Sequence, residues 1–135
     1  MAEALFNHFN RDRSKKAISA GLAAYGSPIS QNAKAALRKR GVRPSPGNDY
    51  EHHISRRIDE ATAAACAQII TMTGTHAMAL MAAYPQYASK IFVMPHDISD
   101  PFGGDEEAYS RCLAEIEACL RELFPLASDE EEGAE

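Results

Sequence analysis

The most constraining feature of the chain is a strand–loop–helix sequence near its end. A short β-branched and aromatic run, Lys90-Ile-Phe-Val-Met94, gives way to Asp97-Ile-Ser-Asp-Pro-Phe-Gly-Gly-Asp-Glu106, and then to an amphipathic stretch from Glu106 to Phe124. In that stretch Tyr109, Cys112, Leu113, Ile116, Leu120 and Leu123 recur at three- and four-residue steps, the signature of a helix with one buried face. A strand that leads into a helix has to find its next partner through a crossover, which favours parallel pairing.

The rest of the chain alternates in the same way. Residues 2–10 carry Ala4, Leu5, Phe6 and Phe9 at helical spacing, and Ala17-Ile-Ser-Ala-Gly21 is a short apolar piece. Asn32 to Arg40 reads as a helix stopped by Gly41. Ile58 to Ala67 reads as helical, Gln68-Ile-Ile-Thr-Met-Thr73 as a buried strand and Thr75 to Ala83 as a helix ending near Pro85. No repeats occur. The expected architecture is α/β, a three-layer sandwich around a small parallel sheet. In such folds ligands bind at the carboxyl ends of the strands, which is where the loop after Met94 lies.

A chain of 135 residues holds one core. The expected domain is residues 1–126, with 127–135 as an acidic disordered tail holding Asp129, Glu130, Glu131, Glu132 and Glu135. That tail carries much of the net charge of −5, so the body is near neutral and neither nucleic acid nor an anionic membrane is indicated as a partner. No apolar run approaches a membrane span. Three cysteines and no signal peptide point to free thiols and a cytoplasmic location.

Candidate chemistry starts at Asp100. Pro101 biases Asp100 to an extended backbone, and Gly103-Gly104 lets the chain turn closely before the helix. A carboxyl held there could protonate a leaving group, although Asp-Pro is also ordinary turn chemistry. His8, His52, His53, His76 and His96 have no metal-ligand spacing with the cysteines, so no metal is expected. His53, Ser55 and Arg56 could form a polar lock under a site loop, although a surface or hydrogen-bonding role is the simpler reading. Cys112 and Cys119 lie about two helical turns, roughly 10 Å, apart, too far for a disulfide. Cys66, Cys112 and Cys119 all read as core residues, and none reads as a nucleophile.

Taken in order, these pieces resemble the low-molecular-weight protein phosphatase family. Met1-Ala-Glu-Ala-Leu-Phe6 resembles its first helix, Ser19-Ala-Gly21 its second strand and Gly26-Ser-Pro28 the loop after it. Ala33, Leu37 and Gly41 fit the next helix. His53-Ile-Ser-Arg56-Arg57-Ile58 is similar to its H-x-[SA]-R-x-[LI] element, and Ile69-Ile-Thr-Met72-Thr73 and Lys90-Ile-Phe92 to its later strands. Asp100-Pro-Phe-Gly-Gly104 resembles its Asp-Pro loop.

The resemblance implies a phosphomonoesterase of the phosphotyrosine protein phosphatase I-like fold, acting on phosphorylated protein substrates without a cofactor. It makes Asp100 the general acid/base and Phe102 a wall of the substrate slot, with His53, Ser55 and Arg56 in support. Phe102-Gly103 replaces the paired tyrosines of tyrosine-specific members, and Met72-Thr73 replaces Met-Asp; both resemble the branch that includes protein-arginine phosphatases. Phosphoarginine is therefore expected ahead of phosphotyrosine.

The family's first strand and its C-x5-R phosphate loop have no counterpart in this sequence. The expectation is a fold lacking its first strand, with neighbouring strand edges left unpaired. The cysteinyl-phosphate nucleophile is absent, and the chain is expected to be inactive as it stands. The alternatives are a non-catalytic phosphatase-like remnant that binds a partner or a phosphate ligand, and an arsenate reductase-like enzyme.

Overall fold

The computed structural model describes residues 1–22 and 26–128. The acidic tail therefore falls, from Asp129 on, outside the described residues. The elements follow in the order helix α1 (Ala2–Phe9), helix α2 (Gln31–Arg40), helix α3 (Glu60–Ala65), strand β1 (Ile69–Thr71), helix α4 (Gly74–Ala83), strand β2 (Ile91–Val93) and helix α5 (Glu106–Leu123). Short 3-10 turns occupy Tyr50–His52 and Pro85–Lys90.

The helix ends are set by the residue types that suit them. The side chains of Ser30, Asp59, Thr73 and Asp105 each accept a first-turn N–H, at the starts of α2, α3, α4 and α5. Gly41 closes α2 with φ +94°, and its N–H returns to Arg38.

β1 and β2 are parallel, with Ile69 opposite Ile91 and Thr71 opposite Val93. They form a two-stranded sheet among the described residues. Alternation along the strands divides two apolar layers. Ile69, Ile91 and Val93 join Ala77 and Leu80 of α4 on one side. Ile70 and Met72 pack with the larger cluster of α1, α2 and α5, centred on Leu5, Phe9, Leu37, Leu113, Ile116 and Cys119. The three-layer arrangement follows from that division.

Three expectations are revised. The helix expected over Ile58–Ala67 starts only at Glu60, because Asp59 accepts the Thr62 N–H at 2.8 Å and takes the cap. Among the described residues, Ala17–Gly21 does not join the sheet. The Asn7 side chain binds both backbone groups of Ala17, at 2.9 and 2.8 Å, and Gly21 makes only an isolated parallel bridge to Arg57. Cys66 is half-buried, not a core residue like Cys112 and Cys119.

At the far end, Leu126 is buried and the Ala127 N–H donates to Phe9 O at 2.7 Å, so the body stays attached through Ala127. No helix among the described residues is long and apolar enough to cross a membrane.

Candidate active site

The loop after β2 starts as a continuation of the sheet. Met94 N–H donates to Thr71 O (3.0 Å) and Ile98 N–H to Met72 O (2.9 Å), which drives the Ile98 side chain into the core. Between them, an Asp97 carboxylate oxygen accepts the Gly74 N–H at 3.0 Å, so a charge favourable to the α4 dipole ties the loop to that helix. The loop then leaves the core.

Asp100 is exposed, and its Oδ1 accepts the Phe102 N–H at 3.0 Å. This bond two residues along the chain is the Asx geometry that Asp-Pro-Phe favours. Oδ2 has no protein partner among the described residues, and is open to a ligand. The Phe102 ring beside it is 87% exposed. Gly103 has φ +82°, where a side chain would be strained. Gly104 N–H closes onto Pro101 O at 2.8 Å, and a Cβ on Gly104 would lie 2.8 Å from Ala108 Cβ and 2.9 Å from Pro101 O. Both glycines are thus demanded by the turn that returns the chain to α5.

His53, Ser55 and Arg56 come together elsewhere. The Ser19 hydroxyl donates to Glu3 Oε1 at 2.9 Å, and His53 Nε2 lies 3.4 Å from that hydroxyl. Because the single Ser19 proton goes to Glu3, Nε2 is the donor in the His53–Ser19 contact. Ser27 N–H donates to Ser55 Oγ at 2.9 Å, and Arg56 Nε to Ser19 O at 3.2 Å. The three residues therefore brace Ser19, Ser27 and, through Glu3, α1, and among the described residues they make no bond to the Asp100 loop. Beside them is a cavity of about 20 Å³, room for roughly one water, lined by Met1, Glu3, Ala4, Ser19, Ile29, Tyr50 and His53.

Sequence reading missed the partners of the acid loop itself. Asn32 of α2 donates from Nδ2 to Gly104 O at 3.1 Å, and the Cys112 thiol lies 3.6 Å from Ser99 O. Burial pushes the Cys112 thiol above its ordinary pKa, and the Glu115 and Asp100 carboxylates add to this. It therefore stays protonated at neutral pH, unsuited to nucleophilic attack. Among the described residues, no group of three or more His, Cys, Asp or Glu side chains is placed to hold a metal ion.

The chain matches the family model for low molecular weight phosphotyrosine protein phosphatase over residues 1–133. It is 31% identical over 117 residues to a protein-arginine-phosphatase of Geobacillus stearothermophilus, covering 78% of this chain and 72% of that relative. A second protein-arginine-phosphatase, from Bacillus subtilis, is 25% identical over 136 residues, covering 91% and 84%. Among solved structures, a low molecular weight protein tyrosine phosphatase from T. tengcongensis superposes with a TM-score of 0.78 at 28% identity, covering 90% of this chain and 86% of that one. The fold, the order of the motifs and the match over nearly the whole sequence agree, and the chain belongs to the low molecular weight phosphotyrosine protein phosphatase family.

Proposed function

We propose that this protein dephosphorylates protein side chains, with Asp100 as the acid that protonates the leaving group and then as the base that activates water. The observation that carries this reading is the state of the Asp100 carboxyl: Oδ1 is oriented by the Phe102 amide, Oδ2 is open, and an exposed ring stands beside it. Phe102 forms one wall of the substrate slot. Phosphoarginine comes ahead of phosphotyrosine, because Phe102-Gly103 offers one ring where tyrosine-specific members offer two. The two protein-arginine-phosphatases among the relatives support the same order. His53, Ser55 and Arg56 act in support through their bonds to Ser19 and Ser27. No cofactor is needed, and three unpaired thiols fit a reducing cytoplasm.

The reaction passes through a cysteinyl phosphate, and this chain's three cysteines do not provide its thiolate. None begins a C-x5-R sequence. Cys112 and Cys119 are buried, and Cys66 follows the C-terminus of a short helix. The 135-residue chain by itself is accordingly inactive in this reading. The same observation favours the second reading, a non-catalytic phosphatase-like protein that binds a partner or a phosphate ligand. It disfavours an arsenate reductase, which needs exchangeable thiols near the site.

The deciding experiment follows phosphate release from phosphoarginine and phosphotyrosine peptides. It compares protein purified from its native source with the 135-residue chain alone. Where native-source protein turns over, Asp100→Asn is expected to lower kcat by about 10²–10⁴-fold. Unchanged turnover in that variant would remove Asp100 from the mechanism. Turnover by the chain alone would refute its inactivity.

A further inference from the structure

The two halves of the acid loop are held differently. Upstream of Asp100 the chain is fixed by the Ile98 N–H to Met72 O, by Asp97 on Gly74 and by the buried Ile98 side chain. Downstream, the Gly104 N–H to Pro101 O bond only closes the turn on itself. Beyond the continuation of the chain into α5, where Asp105 caps the helix on the Ala108 N–H, the side-chain tie from that half to a distant part of the fold among the described residues is Asn32, whose Nδ2 donates to Gly104 O from 72 residues away in sequence. Asn32 stands in the first turn of α2, and α2 packs along α5, so its position is fixed independently of the loop.

With its N–H on Pro101 and its C=O on Asn32, Gly104 has both backbone groups engaged. That fixes Pro101, whose ring in turn biases the preceding Asp100 to an extended backbone. Without the Asn32 bond the turn would pivot at Gly103, which has φ +82° and nothing within 4 Å of an added Cβ. We propose that Asn32 is a positioning residue: its carboxamide holds the Asp100 loop so that the carboxyl stays on the Phe102 amide and faces the substrate. This rests on the reading of Asp100 as the acid.

The test uses Asn32→Asp, which keeps the shape but sets a carboxylate oxygen against Gly104 O, and Asn32→Ala as a second variant. Gln31→Ala, an exposed position on the same turn, is the control. The readouts are amide hydrogen exchange and the resonances of the Phe102 amide and the Asp100 carboxyl, none of which requires turnover. Both Asn32 variants are expected to speed exchange of the Phe102 and Gly104 amides by about ten-fold, the loss of one hydrogen bond. They should also move the Asp100 carboxyl and Phe102 amide resonances towards those of an unstructured peptide, with amides inside α2 and α5 kept within about two-fold of the parent. Unchanged exchange at Phe102 and Gly104, or an equal rise throughout α2 and α5, would overturn the assignment. Phosphate release in Asp100→Asn decides the phosphatase reading separately, so either proposal can fail without the other.

Discussion

Two carboxylates in this molecule are held in opposite ways. Glu117, on α5, accepts from Arg40 Nε at 2.6 Å, Arg40 Nη2 at 2.7 Å and Arg121 Nε at 2.9 Å. The same two guanidinium groups stack on Phe9, at 4.8 and 5.2 Å from its ring centroid. Arg121 also reaches the Ala127 carbonyl at 3.0 Å, so the cluster joins α1, α2, α5 and the segment after α5. Among the described residues, Asp100 accepts a single backbone N–H, and the nearest aromatic in sequence, Phe102, points to solvent. A carboxylate with its lone pairs taken by two cations stabilises a fold and holds its charge at neutral pH. One oriented through a single oxygen leaves the other able to exchange a proton. The contrast is in the carboxyls themselves: Glu117 is held by three side-chain hydrogen bonds, whereas the Asp100 carboxyl keeps an oxygen without a partner among the described residues, on an exposed loop.

The hardest break in that comparison is at Phe9. The ring is 1% exposed and lies beneath both guanidinium groups, so Phe9→Ala removes core volume and the surface that orients the arginines. A loss of about 4 kcal/mol in urea unfolding is expected. A loss under about 1 kcal/mol would mean that the cluster is not what anchors α1 to α5.

Glu117→Gln tests the charge itself. The Arg40 hydrogen bond, followed by that of Arg121, holds the Glu117 carboxyl below its ordinary pKa of 4.5, while burial opposes them. The unfolded chain therefore takes up this proton more readily than the folded one. The stabilisation is present above pH 4.5 and is lost as pH falls through the lower folded-state value. At neutral pH the variant is expected to be less stable by about 2 kcal/mol, the scale of a charge-assisted hydrogen bond to a half-buried partner. Thermal melts across pH should show the gap between parent and variant closing on the acid side. A gap that persists undiminished well below pH 4.5 would put its origin in shape rather than in charge.

The same contrast explains what could be read from the sequence. α5 and α2 were legible because their own residues define them: a three-four apolar rhythm in one, a glycine stop in the other. Strands β1 and β2 were legible as apolar runs between turn residues. The Ala17–Gly21 segment was not, since a side chain, Asn7, supplies the backbone partners that a strand would. At the candidate site, the turn that carries Asp100 and Phe102 could be picked out because proline and glycine mark it locally. The groups that hold the turn could not, because they come from tertiary packing. Asn32 is 72 residues from Gly104, and Gly74 is 23 from Asp97. His53 was legible as a motif, but its partners Ser19 and Glu3 meet it only through the fold.

Phe102 gives the smallest effect on the fold and the sharpest one on the comparison. At 87% exposure its ring contributes almost nothing to the core, and its backbone N–H, the group that orients Asp100, survives truncation. Phe102→Ala should therefore leave unfolding within about 0.5 kcal/mol of the parent. In native-source protein it should weaken capture of a phosphoarginine or phosphotyrosine peptide, raising KM by about ten-fold, the worth of one aromatic contact at a binding surface. Because the Asp100 carboxyl stays oriented, kcat should fall much less than KM rises, whereas Asp100→Asn should do the reverse. If Phe102→Ala instead lowers kcat and leaves KM alone, the ring acts on the acid and not on the substrate, and the substrate slot must be sought on another wall.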